Sequence, residues 1–136
     1  LVLFSGLFIV VGSLETTGLS GLLFQSIQPL LSGSVVILSG FTLILSNILS
    51  NVPAVLLLSP MIESLGSIKR DWLTVAMAST FAGNLTLIGS VANLIVVEIA
   101  RKQGVQVSFM TYLKVGVPVT LVTLIIGVLW LVFTPV

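Results

Sequence analysis

Two short segments of this chain combine side chains that bind solutes with residues that interrupt helices. The first is SNILSNVPAV at residues 46–55, which holds two Ser-Asn pairs and a proline. The second is AGNLTLIGSVAN at residues 82–93, which holds two glycines and two asparagines. Hydroxyl and amide groups offer hydrogen-bond donors and acceptors without bringing a formal charge into a low-dielectric environment. The two segments therefore predict a binding site for a small solute or ion.

The candidate binding residues are the polar and helix-interrupting members of the two segments. They are Ser46, Asn47, Ser50, Asn51, Pro53, Gly83, Asn84, Thr86, Gly89, Ser90 and Asn93. Carbonyl oxygens of the asparagines and of interrupted backbone suit sodium, with Asn51 and Asn93 as its expected ligands. Amide hydrogens and the positive ends of half-helices suit an anion. Pro53 fits the first turn of a helix, and the glycines let the backbone approach a solute closely.

Small polar residues also have a structural use, because they let membrane helices approach and bond to one another. Packing is the favoured interpretation for the scattered members, which are Ser32, Ser39, Gly40, Thr42 and Thr123. Clustering at one depth favours binding for Asn51, Pro53, Asn84 and Asn93. Both interpretations stay open for Ser46, Asn47, Thr86 and Ser90.

The composition defines the environment of these segments. Hydrophobic residues make up 57% of the chain, and only five basic and four acidic residues occur among 136. This is typical of an integral membrane protein and not of a soluble domain. Since a spanning helix needs about 20 apolar residues, the chain has room for four or five membrane-embedded elements at most.

Several function classes are disfavoured by the same composition. A net charge of +1 without a basic run argues against nucleic acid as a partner. The chain lacks cysteine and histidine, so disulfides, thiolate metal sites and histidine acid/base chemistry are excluded within it. Without a clustered carboxylate as well, we do not expect an enzyme, and we expect no cofactor other than a coupling ion, sodium or proton.

Apolar and polar patterning divides residues 1–136, a single membrane-embedded region, into five elements. We expect the end of a transmembrane helix at 1–14, an amphipathic arm at 16–31, a re-entrant hairpin at 33–66, a broken helix at 72–103, and an amphipathic lead with a final transmembrane helix at 108–134. The hairpin competes with one kinked helix over 35–62. Such a helix would be about 42 Å long and would overshoot a hydrocarbon core about 30 Å thick.

The charged residues are expected near the membrane surfaces. GSIKRDW at 66–72 has the composition of an interfacial loop. Glu98 lies three and four positions before Arg101 and Lys102, which favours an ion pair over a proton relay. Glu63 is expected to extend to the nearby surface. The positive-inside rule weakly places the side with Arg101 and Lys102 in the cytoplasm.

The stretches SNILSNVPAVLLLSP and GNLTLIGSVANLIV resemble the ion transporter superfamily, specifically its citrate transporter-like group. That group contains the arsenite pump membrane subunit, sodium/proton antiporters and divalent anion/sodium symporters. The opening FSGLFIVVGSLETTGL and the closing YLKVGVPVTLV are similar to the same group. The resemblance therefore extends over nearly the whole chain.

The resemblance implies an all-α integral membrane fold in which this chain is the second of two inverted repeats. The hairpin tip and the helix break would then face each other around substrate and coupling ion, in a homodimer that works as an elevator. Ser50 and Asn51 match the Ser-Asn of the symporters' Ser-Asn-Thr signature, and Asn93 matches the asparagine that closes the motif in the broken helix. Val52 replaces the symporters' threonine, and Ser50 replaces an aspartate that is frequent in antiporter relatives.

The implied function is ion-coupled secondary active transport of small inorganic or carboxylate anions by a longer chain, of which this is the C-terminal half. The expected partners are the anion, the lipid bilayer, the N-terminal half and a second protomer. The expected location is the inner membrane of a bacterial or archaeal cell. Two alternatives are a sodium/proton antiporter-like exchanger and a structural membrane subunit that does not transport.

Overall fold

The computed structural model describes residues 2–18, 21, 27–31, 33–63 and 68–135, which are helical apart from short connections and contain no strand. The all-α prediction is thus confirmed for this part of the chain. The helices are α1 (Val2–Thr16), α2 (Val35–Leu49), α3 (Asn51–Glu63), α4 (Ile68–Ala82), a 3₁₀ turn (Leu87–Gly89), α5 (Val91–Lys102) and α6 (Phe109–Phe133). Residues 27–31 are also helical.

Serine side chains begin three of these helices. The hydroxyls of Ser34, Ser90 and Ser108 accept hydrogen bonds of 3.1–3.3 Å from backbone N–H groups in the first turns of α2, α5 and α6. Each cap satisfies one of the donors that a helix leaves unpaired at its start. These caps fix where each of the three helices begins.

The boundary between α2 and α3 is the single residue Ser50. Its N–H donates to Ser46 O at 2.8 Å and so closes α2, while its carbonyl accepts from Ala54 N at 3.2 Å and so opens α3. Its backbone angles are φ 80° and ψ 158°, a region occupied almost only by glycine. Ser50 is the only non-glycine residue of the described segments with a positive φ.

The chain folds back at Ser50. Leu38 near the start of α2 and Met61 and Ile62 near the end of α3 belong to one buried cluster that also contains Val75 of α4. In one continuous helix Leu38 and Met61 would be about 34 Å apart. The alternative of one kinked helix over 35–62 is therefore wrong, because the main-chain turn at Ser50 brings both arms onto the same face of α4.

Helix α4 starts earlier than the sequence predicts. Lys69, Arg70 and Asp71 belong to its first turn, and not to an interfacial loop that ends at Trp72. An acidic residue is favourable in this position because the N-terminal end of a helix carries a partial positive charge. Asp71 is only 5% exposed, and Trp72 packs against the buried cluster.

Helix α6 is the one described helix that is long and apolar enough to cross a bilayer by itself, with a mean hydropathy of 2.5 in its most apolar window. Residues 109–116, expected as a separate lead, are continuous with it. It packs along α4, where the Met77 side chain occupies the space that a Cβ on Gly127 would need. In contrast, α5 has no buried residue and contacts mainly the 3₁₀ turn.

Parts of three expected elements lie outside the described residues. These are residue 1 of the first helix, residues 19–20, 22–26 and 32, which fall in or beside the arm, and residues 64–67, which include the end of the hairpin. Helix α1, the expected end of a transmembrane helix, packs against α3.

Replacing Ser50 with glycine is expected to stabilise the folded protein by about 1 kcal/mol, because glycine adopts these backbone angles without steric cost. Thermal unfolding of the full-length protein in detergent measures the effect. Ser108→Gly is the matched control: that serine has an ordinary φ of −77°, so its loss should cost a few tenths of a kcal/mol. A lower stability for Ser50→Gly than for Ser108→Gly would contradict the strained turn.

Candidate functional site

The hairpin tip and the helix break lie side by side because α2 and α4 end at the same level. Ser46 Oγ lies 3.2 Å from Ser79 O, and Asn47 Nδ2 donates to Ala82 O at 2.8 Å. Both acceptors are in the last turn of α4, and both donors are in the last turn of α2. The two helices therefore run in parallel and finish next to each other.

The break itself covers residues 83–90. At its start the backbone tightens, with N–H groups of Gly83, Asn84 and Leu85 each bonding to the carbonyl three residues earlier. Asn93 then reaches back from the first turn of α5 and donates from Nδ2 to Gly83 O at 2.7 Å and to Thr86 O at 3.3 Å. Carbonyls that the break leaves without helical partners are thus satisfied by a side chain, as a lipid environment requires.

Asn47 links the tip to the break through both ends of its amide group. Besides the bond to Ala82 O, its Oδ1 accepts a hydrogen bond of 3.0 Å from Thr86 Oγ1. Gly89 permits this approach, because a Cβ there would lie 2.7 Å from Asn47 Nδ2 and 3.2 Å from Thr86 Oγ1. From the sequence, both helix packing and solute binding are possible roles for Asn47 and Thr86. In the structure, the two residues form the hydrogen bonds that join the tip to the break.

Asn51 is held by one end of its side chain and free at the other. Its Oδ1 accepts from Ser46 Oγ at 2.9 Å, while its Nδ2 donates to no described residue. The residue lines a groove of about 320 Å³ between α3 and α4, together with Val52, Val55, Leu56, Ala76, Ser79 and Thr80. Asn51 Nδ2 lies close to Gly83, so its N–H groups are available to a solute where the tip meets the break.

Gly83 marks the point where the helix ends converge. A Cβ at this position would lie 3.7 Å from Ser90 Cβ and 3.8 Å from Asn51 Nδ2. The C-terminal ends of α2 and α4 and the N-terminal ends of α3 and α5 thus meet in one region. Helix C-termini carry a partial negative charge and N-termini a partial positive one, so this region offers stabilisation to a cation and to an anion.

Not every predicted residue joins this group. Asn84 is exposed and lines a different groove of about 300 Å³, together with Thr111, Tyr112 and other residues of α6. Pro53 is buried in the first turn of α3, where it has a structural position, and no described hydrogen bond involves the Ser50 hydroxyl. The residues brought together are Ser46, Asn47, Asn51, Gly83, Thr86, Gly89, Ser90 and Asn93.

Sequence reasoning missed the contribution of α6. A Cβ on Gly116 would lie 2.5 Å from Asn84 O and 3.0 Å from Leu85 O, so this glycine lets α6 support the break from behind. The available signal was a glycine among bulky residues at the start of the final span. Sequence reasoning also missed Ser79 and Ala82. Each contributes its backbone carbonyl, a group that any residue type would provide.

A larger cleft of about 470 Å³ lies between α4 and α6, away from this convergence. It is lined by apolar side chains such as Leu73, Phe81 and Trp130, and by Thr123, whose hydroxyl bonds to carbonyls of its own helix. Because it offers no free polar group to select a solute, we assign the candidate site to the Asn51 groove.

The predicted pairing of Glu98 is confirmed. Arg101 contacts both of its carboxylate oxygens at 3.1 Å, and both side chains are largely exposed. Among the described residues, no group of three or more histidines, cysteines or carboxylates is arranged for a metal ion. An exposed ion pair of this kind contributes little to stability.

An all-helical, apolar chain whose interrupted helices collect neutral polar groups around one point has the architecture of an integral membrane protein. The chain belongs to the citrate transporter family, whose sequence model matches residues 1–82. It is 40% identical to the silicon efflux transporter LSI3 of Oryza sativa, over 94% of this chain and 29% of the relative. No solved structure matches the chain.

Two further relatives come from other kingdoms. The chain is 40% identical to the putative transporter arsB of Dictyostelium discoideum, over 94% of this chain and 24% of the relative. It is 31% identical to a 46 kDa membrane protein of Mycobacterium leprae, over 96% of this chain and 33% of the relative. The chain thus spans about a quarter to a third of the length of these relatives.

Proposed function

We propose that this chain forms part of an ion-coupled secondary active transporter of small inorganic or carboxylate anions. One observation carries the proposal: the Asn51 amide donates to no described residue and lies where two positive and two negative helix ends converge. Donors without a full charge bind an anion in low dielectric and still release it, as a carrier must.

Sodium is the coupling ion that the described site favours. Sodium binds to oxygen ligands, and Asn93 Oδ1 accepts no hydrogen bond from a described residue. Asn51 Oδ1 and Ser46 Oγ provide further oxygens at the tip. Proton coupling would need a titratable group, whereas the residues that converge here carry only amide and hydroxyl side chains.

Helix lengths support a re-entrant hairpin as the tip. At about 1.5 Å per residue, α2 and α3 are about 22 Å and 20 Å long, and both are shorter than a hydrocarbon core about 30 Å thick. A turn at Ser50 would then lie within the membrane. On this proposal the chain is the second inverted repeat of a homodimeric, elevator-type carrier, and the remaining length of its relatives supplies the first.

A neutral hydroxylated solute is a second candidate substrate, because the side chains at the convergence carry no formal charge. The name of the rice relative, a silicon efflux transporter, is consistent with such a solute. We also propose the inner membrane of a bacterial or archaeal cell as the location. The mycobacterial relatives support this, although the rice and Dictyostelium relatives show that the family extends to eukaryotes.

Transport by the full-length protein in proteoliposomes tests the function. Citrate, arsenite and silicic acid are offered under an imposed sodium gradient or an imposed pH gradient. We expect a sodium-dependent flux that Asn51→Ala and Asn93→Ala each abolish, while Gln103→Ala, an exposed amide at the end of α5, retains it. Normal expression and elution from size exclusion are required of each variant.

Three results would point elsewhere. Unchanged flux in both asparagine variants would refute the proposed site. Sodium/proton exchange without any anion requirement would favour the antiporter alternative. Absence of flux and exchange under all conditions would favour the structural subunit.

A further inference from the structure

A row of hydroxyl groups runs along the buried face of α2. Ser39, Thr42 and Ser46 are spaced three and four residues apart, so they share one side of the helix. All three are at most 1% exposed. Ser46 is the last of the row and bonds to Asn51 and to α4, the helix against which α2 mainly packs.

The first two members of the row have no partner among the described residues. Ser39 Oγ and Thr42 Oγ1 are buried and make no hydrogen bond within this part of the chain. Other helical hydroxyls in the chain behave differently: Thr74, Thr80 and Thr123 each donate to the carbonyl four residues earlier, at 2.7–2.9 Å. Thr120 Oγ1 of α6 is likewise buried without a partner, but of the described residues only Ser39 and Thr42 form such a pair on one face of a helix.

An unpaired hydroxyl at this depth is costly, because no solvent reaches it and its hydration is lost on burial. Residues three apart on a helix have Cβ atoms about 5–6 Å apart, a span that one water molecule bridges with a hydrogen bond to each hydroxyl. We propose that Ser39 and Thr42 bind an ordered water molecule within the α2–α4 interface.

The position of this water gives it a connection to the candidate site. Ser46 lies one turn beyond Thr42 on the same face, and its hydrogen is committed to Asn51 Oδ1 or Ser79 O. The bound water would thus be the next polar group after Ser46 along this face of α2. The inference depends only on burial and hydrogen bonding and holds whichever solute is carried.

The substitution Thr42→Val tests the proposal by the sign of its effect on stability. Valine keeps the shape of threonine but cannot hold the water, which leaves both the water and Ser39 short of a partner. We expect the melting temperature of the full-length protein to fall by about 2–4 °C. Thr123→Val, which removes a hydroxyl bonded only within its own helix, is the control with little expected change.

A double variant tests whether the two hydroxyls share one ligand. After Thr42→Val, adding Ser39→Ala should lower the melting temperature by less than Ser39→Ala does alone. A rise or no change with Thr42→Val would overturn the proposal, since removing a hydroxyl that binds nothing relieves a penalty. Additive effects, or a cryo-EM map that resolves waters elsewhere but not between these hydroxyls, would overturn it as well.

Discussion

Gly116→Ala is expected to destabilise the folded protein by about 3 kcal/mol, the upper end for overpacking a well-packed contact. The added methyl group would lie 2.5 Å from Asn84 O and 3.0 Å from Leu85 O. Both are backbone atoms of the break, whose neighbours are tied to α2 and α5, so they cannot move aside as a flexible side chain would. Helix α6 must therefore shift away from the break.

Thermal unfolding and size exclusion of the full-length protein measure this loss. Gly40→Ala is the matched control, because Gly40 also lies inside an apolar helix but has no atom within 4 Å of the added Cβ. It should be neutral or slightly stabilising, since alanine is the better helix former. Equal stability of the two variants would show that α6 does not support the break as described.

Asn47→Leu is expected to abolish transport. Leucine has a similar size but leaves the Thr86 hydroxyl without its partner and Ala82 O with only the N–H of Leu85. An unpaired hydroxyl costs about 1–3 kcal/mol and the lost bond to Ala82 O about 1 kcal/mol, so contact between the tip and the break should become about 3 kcal/mol less favourable. At about 1.4 kcal/mol per factor of ten, the equilibrium ratio of the joined to the separated arrangement would fall about 100-fold.

Initial rates in proteoliposomes measure the effect of Asn47→Leu, and Ile48→Leu controls for a change of similar volume at a neighbouring position that is 74% exposed. If Asn47→Leu transported at the rate of the unmodified protein, the cross-link between tip and break would not be needed for activity. Asn47→Gln, which keeps both kinds of group on a longer side chain, should fall between the two.

The sequence predicts this site well where side-chain chemistry decides the outcome. Polar residues at membrane depth require a reason, and that argument favoured Asn51, Pro53, Asn84 and Asn93, of which Asn51 and Asn93 lie at the convergence while Asn84 lines another groove. The argument could not separate packing from binding for Ser46 and Asn47. Their partners are backbone carbonyls 33 and 35 residues away, and every residue has a carbonyl, so the residue types do not reveal which one is used.

Main-chain geometry was the second feature that the sequence could not predict. A proline three residues after Ser50 suggested a helix start, but the reversal depends on a positive φ at a serine, which propensity does not predict. The early start of α4 was missed for a related reason. Three charges beside a tryptophan are typical of an interfacial loop. Here, however, the tryptophan packs against the buried cluster, and the charged residues before it form the first turn of α4.

The meeting of four helix ends at Gly83 has an electrostatic consequence. Each end carries about half an elementary charge, so two negative and two positive ends sum to about zero. A single bound ion would add a net charge to this region, whereas a cation bound together with an anion, or an uncharged solute, would add none. Because backbone dipoles do not titrate, this preference for electroneutral loading should be the same at any pH at which the protein is folded.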